Sequence, residues 1–370
     1  MSIVAAAAAI ILFLGIAENY LHQRALKRIP LRILVNGTRG KTTVTRMVAS
    51  VLNAAGIRAY AKTTGSEARR ILPDGSEEAY RREKRPVSMM EQLPFVRLAV
   101  RGKAQAIVVE CMAQRIENQQ LIAQKLIRPH YVLMTNAYVD HVEEIGKTEE
   151  ETVHVLAQSF TDDCGVIAID ERFGAYTDRL ILPGDKVDVS GFAHCAFPVH
   201  EENVRLVMAL ASRLDIGQET VCRGIQNVRP DIGMYKEIHL QHICVHNAFA
   251  VNDPDSFFTV LNDYARHGAY SLIYNHRKDR SYRLEAFARV LRASACPPEC
   301  IGVVGEDKEW CAKYMRRVTG LPAEPVENPS VWVRERDVAN AVGQILCAGN
   351  IKGEGHLLLE ELIKEAQKNV

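Results

Sequence analysis

The sequence predicts an α/β protein of two domains, each with a mainly parallel sheet, preceded by an apolar N-terminal helix. Apolar runs of about four to eight residues alternate with stretches of helical periodicity along most of the chain. Polar clusters follow many of these runs, which is typical of the carboxyl ends of parallel strands in α/β sheets. The chain has 370 residues, which is long enough for two hydrophobic cores.

The composition excludes several other classes. A net charge of +1, with 25% charged and 47% hydrophobic residues, argues against a nucleic-acid-binding protein and against a disordered chain. Nine cysteines are scattered, mostly inside apolar runs, as is usual for reduced, buried thiols in a cytosolic domain. One close pair, Cys296 and Cys300, has Cys311 downstream but no second pair, so it gives little support for a zinc site.

The first element is an uncharged stretch over residues 2–17, followed by a basic flank that includes Arg24, Lys27 and Arg28. A membrane-spanning helix needs about 20 apolar residues, with roughly 17 as the lower limit, so this stretch is short but sufficient. A cleaved signal peptide would normally begin with basic residues, which are absent here. We expect residues 1–28 to form an uncleaved membrane anchor with the remainder in the cytoplasm; a buried core helix or a partner-binding helix is the alternative.

The next element is a strand ending at Asn36, which leads through Gly37-Thr38-Arg39-Gly40 into a helix that begins at Lys41. Glycines let backbone amides approach a phosphate, and the helix N-terminus adds a partial positive charge. In such a loop Lys41 would reach the β- and γ-phosphates and the Thr42 hydroxyl would bind Mg²⁺. The spacing is unusual, because two residues separate the glycines where the common phosphate loop has four. A coincidental turn is the alternative.

Two later strands of the same domain also end in polar residues. The apolar run 104–113 contains Glu110, and a carboxylate at a strand end beside a phosphate loop predicts a Mg²⁺ ligand; a structural salt bridge is the alternative. The strand from Tyr131 opens into a loop with Asn136, Asp140 and His141, for which we expect metal or phosphate contact rather than an ordinary surface position. The charged stretch from residue 72 to residue 87 predicts a surface loop or lid.

The α/β alternation breaks at residues 228–233, so we place the boundary in or just after this stretch and predict a central ATP-binding domain over 29–235 and a C-terminal Rossmann-like domain over 236–370. Four strands of the second domain meet polar clusters, among them Asn252, Asp253 and Arg277. His242 and His246 are expected on one strand face with Cys244 between them. Together with His239 they suggest a metal site, but ordinary sheet positions are favoured.

The order of these motifs resembles the Mur ligase superfamily, whose enzymes join amino acids to carboxylates. The short phosphate loop, strand-terminal Glu110, the Asn136 to His141 loop and Asn252-Asp253-Pro254 all occur in that order. The closer resemblance, over nearly the whole chain, is to the ligase subunits of bacterial poly-γ-glutamate synthases. It includes Asn275-His276-Arg277-Lys278-Asp279-Arg280 and Gly349-Asn350-Ile351.

This resemblance implies roles for particular residues. Lys41, Glu110 and His141 would be the catalytic residues, with Thr42 and Glu110 holding one Mg²⁺ and His141 a second. The ATP contacts would come from the loop and from the second domain: Asn36, Gly37, Thr38, Arg39, Gly40, Lys41, Thr42, Thr43, Asn252, Asp253 and Arg277. Many members place a carbamylated lysine after the Asp-His loop, whereas no lysine occurs here between Lys147 and Lys186.

The implied activity is an ATP-dependent amide ligase. A glutamate γ-carboxylate would be activated as an acyl phosphate and captured by the amine of another glutamate, giving a capsular or secreted polymer. The implied partners are the growing polymer, integral membrane subunits of the same complex and a second copy of the chain. Two alternatives remain open, namely a P-loop kinase acting on a small molecule and a non-catalytic subunit whose nucleotide binding gates a membrane complex.

Overall fold

The computed structural model describes residues 3–65, 68–80, 88–139, 145–193, 195, 197, 199–234, 237–249, 251, 254–264, 268–278, 282–338 and 343–366. The chain forms two compact units. The first runs to Arg229 and the second begins at Pro230, apart from residue 197, which groups with the second unit.

The first unit contains a sheet of eight strands with helices packed around it. Its elements in chain order are α1 (Ile3–Leu26), β1 (Leu31–Asn36), α2 (Lys41–Ala54), β2 (Ala59–Thr63), β3 (Arg69–Ile71), β4 (Glu77–Ala79), α3 (Gln92–Arg101), β5 (Ala106–Glu110), α4 (Ile116–Leu121), β6 (Tyr131–Met134), α5 (Glu149–Ala157), β7 (Gly165–Ala168), β8 (Leu180–Ile181), α6 (Glu201–Arg213) and α7 (Gln218–Gln226). A π-helical stretch, Ile122–Ile127, continues α4.

The strand order is β4-β3-β2-β5-β1-β6-β7-β8, and all pairs except β2-β3 and β3-β4 are parallel. The strand β1 lies between β5 and β6 and is buried over its last four residues, because its apolar side chains face helices on both sides of the sheet. Parallel pairing brings the carboxyl ends of β2, β5, β1 and β6 to one edge. The predicted site residues of this unit lie at that edge.

The helix α1 has two parts with different surroundings. Its apolar first part is exposed, including Ile10, Ile11 and Phe13. Its last turns pack on the first unit, where Leu26 is buried and the ring of His22 is hydrogen-bonded to the carbonyl of Leu126 at 2.8 Å. By length and composition α1 is sufficient to cross a membrane.

The prediction of a loop or lid from residue 72 to residue 87 is wrong in its first part. Residues Glu77–Ala79 form β4, the outer strand of a hairpin with β3. The hairpin is fixed to α2 because the buried Arg46 guanidinium is paired with the Glu77 carboxylate and also donates to the carbonyl of Arg229 at 3.0 Å. A sequence of alternating charges is typical of a solvent-exposed segment. Nothing in it indicates that Glu77 pairs with the buried Arg46. Residues 81–87 lie outside the described residues.

The second unit is a six-stranded sheet with two apolar faces, each covered by helices. Its elements are β9 (Glu237–His239), β10 (Cys244–Asn247), α8 (Pro254–Tyr264), β11 (Ser271–His276), α9 (Tyr282–Ala293), β12 (Ile301–Gly305), α10 (Lys308–Thr319), β13 (Ala323–Pro325), α11 (Pro329–Val338), β14 (Gln344–Ala348) and α12 (Glu354–Ala366). The order is β13-β12-β11-β14-β10-β9, with only the β9-β10 pair antiparallel among the described strands.

The α/β class, the parallel sheets and the N-terminal apolar helix are therefore confirmed. The placement of His242 and His246 on one strand is wrong, because His242 lies in the turn between β9 and β10. A three-residue edge strand such as β9 is too short for its alternation to be read from the sequence.

Candidate nucleotide site

The turn between β1 and α2 has a backbone that only glycine accommodates. Gly37 has φ +125° and Gly40 has φ +81°. A Cβ on Gly37 would lie 2.8 Å from the carbonyl oxygen of Asn136, and it would also collide with the Thr135 hydroxyl. The loop therefore passes so close to the end of β6 that a side chain at Gly37 is excluded.

Two asparagines hold this loop in shape. The Asn36 side chain is buried, donates to Gln119 Oε1 at 2.8 Å and accepts from the amide of Gly37 at 2.8 Å. The carboxamide oxygen of Asn136 accepts from the Thr38 hydroxyl at 2.7 Å and from the Arg39 amide at 3.0 Å, and its backbone carbonyl accepts from the Thr38 amide at 3.2 Å. Three amides predicted to contact phosphate are thus bonded to protein acceptors in this structure.

The remaining amides belong to the N-terminus of α2. The first hydrogen bond of the helix runs from the Val44 amide to the Gly40 carbonyl. The amides of Gly40 to Thr43 come before it, and among the described residues outside the loop they have no acceptor. The first turn of α2 contains no acidic residue of its own, and the positive end of the helix dipole lies at the loop. This helix end is suited to an anion.

Lys41 lies across the loop. Its ammonium donates to the carbonyls of Gly37 at 2.7 Å and Thr38 at 3.1 Å. Two neutral carbonyls are weaker partners for an ammonium than the oxygens of a phosphate would be. The lysine is therefore positioned to exchange these contacts for an anion in the loop.

Glu110 ends β5 beside this helix and is only 3% exposed. Both of its carboxylate oxygens lie 3.1 Å from the hydroxyl of Thr42, and Oε2 accepts from the amide of Thr64 at 2.7 Å. Gly65 leaves room for this arrangement, because a Cβ there would lie 2.5 Å from the Thr42 hydroxyl oxygen. A hydroxyl and a carboxylate at this separation are oxygen donors of the kind that Mg²⁺ prefers.

The thiol of Cys111, which follows Glu110, takes no part in this chemistry. Burial raises its pKa to about 12, and the thiol donates to Gln119 Oε1 at 3.4 Å.

Besides Glu110, the buried Lys62 in β2 also carries a charge, and it is paired with the Glu91 carboxylate at 3.2 Å. Since both partners are removed from water together, neither is left as an uncompensated buried charge.

The structure brings together Lys41, Thr42 and Glu110, as the sequence predicts for this edge. Asp140, His141, Asn252 and Asp253 lie outside the described residues. Arg277 follows β11 in the second unit, where it is half-buried. Its contact with nucleotide therefore stays a prediction.

Several residues that build the site were assigned no role in it from the sequence. Thr64 donates its amide to Glu110, Thr135 donates its hydroxyl to the Arg39 carbonyl at 2.6 Å, and Asn203 of α6 lies 3.3 Å from where a Gly40 Cβ would be. Thr64 and Thr135 follow strands that the sequence does predict, so their strand-end positions were a usable signal. Asn203 lies in a helix far along the chain, and no local pattern points to it.

Comparison with known proteins gives two family matches. Residues 35–179 match the Mur ligase middle domain, and residues 234–365 match the poly-gamma-glutamate synthase CapB C-terminal domain. The chain is 30% identical to the capsule biosynthesis protein CapB of Bacillus anthracis over 293 residues, which covers 74% of this chain and 63% of that protein, less than two thirds of its length.

The chain is also 29% identical to the PGA synthase CapB of Bacillus subtilis, over 96% of both proteins. A similar solved structure is a bifunctional folylpolyglutamate synthase/dihydrofolate synthase of Yersinia pestis, complexed with AMPPNP and manganese. The match has a TM-score of 0.67 at 14% identity and covers 93% of this chain and 92% of the synthase chain. At this identity the similarity concerns the fold alone. The chain belongs to the Mur ligase superfamily and, within it, to the CapB-type ligases of poly-γ-glutamate synthases.

Proposed function

We propose that the protein is an ATP-dependent ligase that activates the γ-carboxylate of a glutamate unit as an acyl phosphate and joins it to the amine of another glutamate. The observation that carries the proposal is the convergence of Lys41, Thr42 and Glu110 at the carboxyl edge of the first sheet. The glutamate substrate and the polymeric product are supported by membership of the CapB-type ligases.

The chemistry requires an energised acid. A carboxylate does not acylate an amine at neutral pH, because its oxygen is a poor leaving group. Attack of a carboxylate oxygen on the γ-phosphorus of ATP forms the acyl phosphate and releases ADP; the amine then attacks the carbonyl carbon and phosphate leaves. During the first step negative charge spreads over the phosphoryl oxygens. The ammonium of Lys41 and the amides of Gly40 to Thr43 would stabilise that charge.

The residues present fit a divalent metal. The Thr42 hydroxyl and the Glu110 carboxylate are the ligands we assign to Mg²⁺, and the Thr64 amide holds the carboxylate in place at 2.7 Å. Bound there, Mg²⁺ would neutralise phosphate charge and orient the nucleotide. We propose His141 as the ligand of a second magnesium, and Asn252, Asp253 and Arg277 as contacts to nucleotide.

We further propose that α1 anchors the chain to a membrane, with both units on the cytoplasmic side. The exposed apolar side chains of its first part support an anchor. A cleaved signal is disfavoured because the same helix continues into the packing of the first unit through His22 and Leu26. An anchored ligase would act beside integral membrane subunits that receive the polymer.

The test of the proposed function is magnesium-dependent ADP release by the full-length protein, measured with and without glutamate and followed by mass analysis of amide products. We expect glutamate to stimulate ADP release and γ-linked glutamate to form. Lys41→Ala is expected to lower both by on the order of a hundredfold or more, since it removes a cation from the phosphoryl oxygens.

A matched control is Lys186→Ala, which removes an exposed lysine from the same unit and is expected to change neither rate. Circular dichroism and thermal unfolding should show that the Lys41→Ala variant is folded. Polymer formation by that folded variant at the wild-type rate would rule out the proposed role of the loop.

A further inference from the structure

The second unit contains a cluster of metal-ligating side chains far along the chain from the phosphate loop. Among the described residues, Glu237, His239 and Cys244 each offer one ligand atom, and these atoms all lie within 4.8 Å of one another. The mechanism proposed above uses none of them. The cluster lies on the hairpin formed by β9 and β10 at the edge of the second sheet.

The antiparallel register explains why these side chains meet. Cys244 is opposite His239, and His246 is opposite Glu237. Alternate residues of a strand point to the same face, so these four side chains share one face of the hairpin. The intervening pair, Ile238 and Val245, points to the other face and is buried in the core. Burial of that apolar pair fixes the register and with it the cluster.

The carboxylate of Glu237 lies between two imidazoles. Its Oε2 is 3.4 Å from His239 Nε2, and its Oε1 is 3.5 Å from His246 Nδ1. The side chain of Glu237 is 49% exposed and that of His239 is 72% exposed, so an ion pair here would contribute little by itself. His239 is open to solvent, which gives an ion a path of entry.

We propose that Glu237, His239 and Cys244 bind a divalent transition-metal ion of the Zn²⁺ class. Thiolate sulphur, imidazole nitrogen and carboxylate oxygen are the donors that Zn²⁺ takes in proteins, and they are poorly suited to Mg²⁺ or Ca²⁺. Three protein ligands leave the fourth tetrahedral position to water. The thiolate and the carboxylate together balance the charge of the ion.

His246 is a positioning residue in this proposal. Its ring packs edge-on against Tyr264 with the ring centroids 4.3 Å apart, and it contacts the second carboxylate oxygen of Glu237. It therefore orients Glu237 toward the other two ligands, as partners of metal-bound carboxylates commonly do.

The bound ion would hold a weak element in place. The strand β9 has three residues and pairs only with β10 among the described strands. Short edge strands are held by few hydrogen bonds and fray readily. A metal that links two residues of β9 to one of β10 would therefore fasten the hairpin to the sheet.

The experiment is equilibrium binding of zinc ion alone to the reduced, metal-free, full-length protein, with cobalt ion as a spectroscopic substitute. We expect one tightly bound zinc per chain and a thiolate-to-cobalt charge-transfer band. Cys244→Ser and His239→Gln are each expected to weaken binding by at least about tenfold, and Cys244→Ser to abolish the band. Zinc should also raise the melting temperature of the wild type but not of these variants.

The control variants are Cys296→Ser, which removes an exposed thiol of the same unit, and His242→Gln, which changes the turn histidine outside the cluster. Both should bind zinc as the wild type does. A wild-type protein without the charge-transfer band, or zinc affinity unchanged by Cys244→Ser, would overturn the proposal. Lys41→Ala should leave zinc binding intact, so this test and that of the ligase function succeed or fail separately.

Discussion

Glu110 is the residue at which the local geometry is most specific, because its carboxylate accepts from both the Thr42 hydroxyl and the Thr64 amide while almost fully buried. Glu110→Gln keeps the size and one oxygen acceptor but removes the charge. We expect magnesium-dependent ADP release to fall by on the order of a hundredfold, and the magnesium concentration for half-maximal activity to rise.

The control for this variant is Glu117→Gln, which changes an exposed carboxylate of α4. It should leave the magnesium dependence unchanged. A Glu110→Gln protein with the wild-type magnesium profile would contradict the assignment of Glu110 as a metal ligand.

The role of a residue could be predicted from the sequence where that role depends on a position at the end of a strand. Glu110 was predicted to lie beside the phosphate loop because a carboxylate ending an apolar run is costly without a partner. The role of Asn36 was not readable. Its side chain is bonded to Gln119 and Ser159, residues distant in sequence that no local pattern connects to it, while its contact with ATP stays a prediction.

At the scale of elements, the position of α2 depends on its close approach to α7. A Cβ at Gly224 would lie 2.6 Å from Val51 Cα, and the Ser50 hydroxyl donates to the Gly224 carbonyl at 2.7 Å. Gly224→Ala must therefore push the helices apart, and we expect a loss of about 1–3 kcal/mol in the free energy of unfolding, measured with urea. Because α2 begins at Lys41, ADP release should fall as well.

Gly184→Ala serves as the comparison, since nothing lies within 4 Å of a Cβ there and its φ is not in the left-handed region. It should change the free energy of unfolding by no more than about 0.5 kcal/mol. Equal stability of the two variants would show that the contact between α2 and α7 is not tight.

The exposed and the packed part of α1 can be tested by two separate deletions. Deleting residues 2–17 removes the exposed apolar part and should release the protein from membranes without changing its thermal unfolding. Deleting residues 2–26 should also lower the melting temperature, because it removes buried Leu26 and the contact of His22 with Leu126. Sedimentation with membranes of the protein lacking residues 2–17 would refute the anchor.

The sequence predicted the apolar stretch of α1, but the division of this helix between an exposed and a packed part depends on tertiary contacts.

For the whole molecule, the α/β class, the parallel sheets and the family were predicted correctly, because they depend on periodicity and on motifs at strand ends. The CapB-type family predicted from the resemblance is confirmed by the family models and the CapB relatives, and the ATP-dependent ligase function is the proposal that rests on it. Pairings between distant residues could not be predicted, as with Arg46 and Glu77, which turn an expected loop into a hairpin. The Glu237 cluster was missed for the same reason, since it needs the register of β9 against β10.

The central claim is that ATP is used to activate a carboxylate for capture by an amine. Oxygen transfer tests it most directly. Glutamate labelled with ¹⁸O in its γ-carboxylate is incubated with ATP, magnesium and the full-length protein, and the released phosphate is analysed by mass spectrometry. A ligase transfers a carboxylate oxygen to phosphate, because the carbon–oxygen bond of the acyl phosphate breaks when the amine attacks.

We predict one ¹⁸O atom in the released phosphate for each amide bond formed. A kinase would retain the label in a stable phosphorylated product, and a nucleotide-gated subunit would release phosphate carrying oxygen from water. Unlabelled phosphate accompanying ADP release would therefore contradict the account.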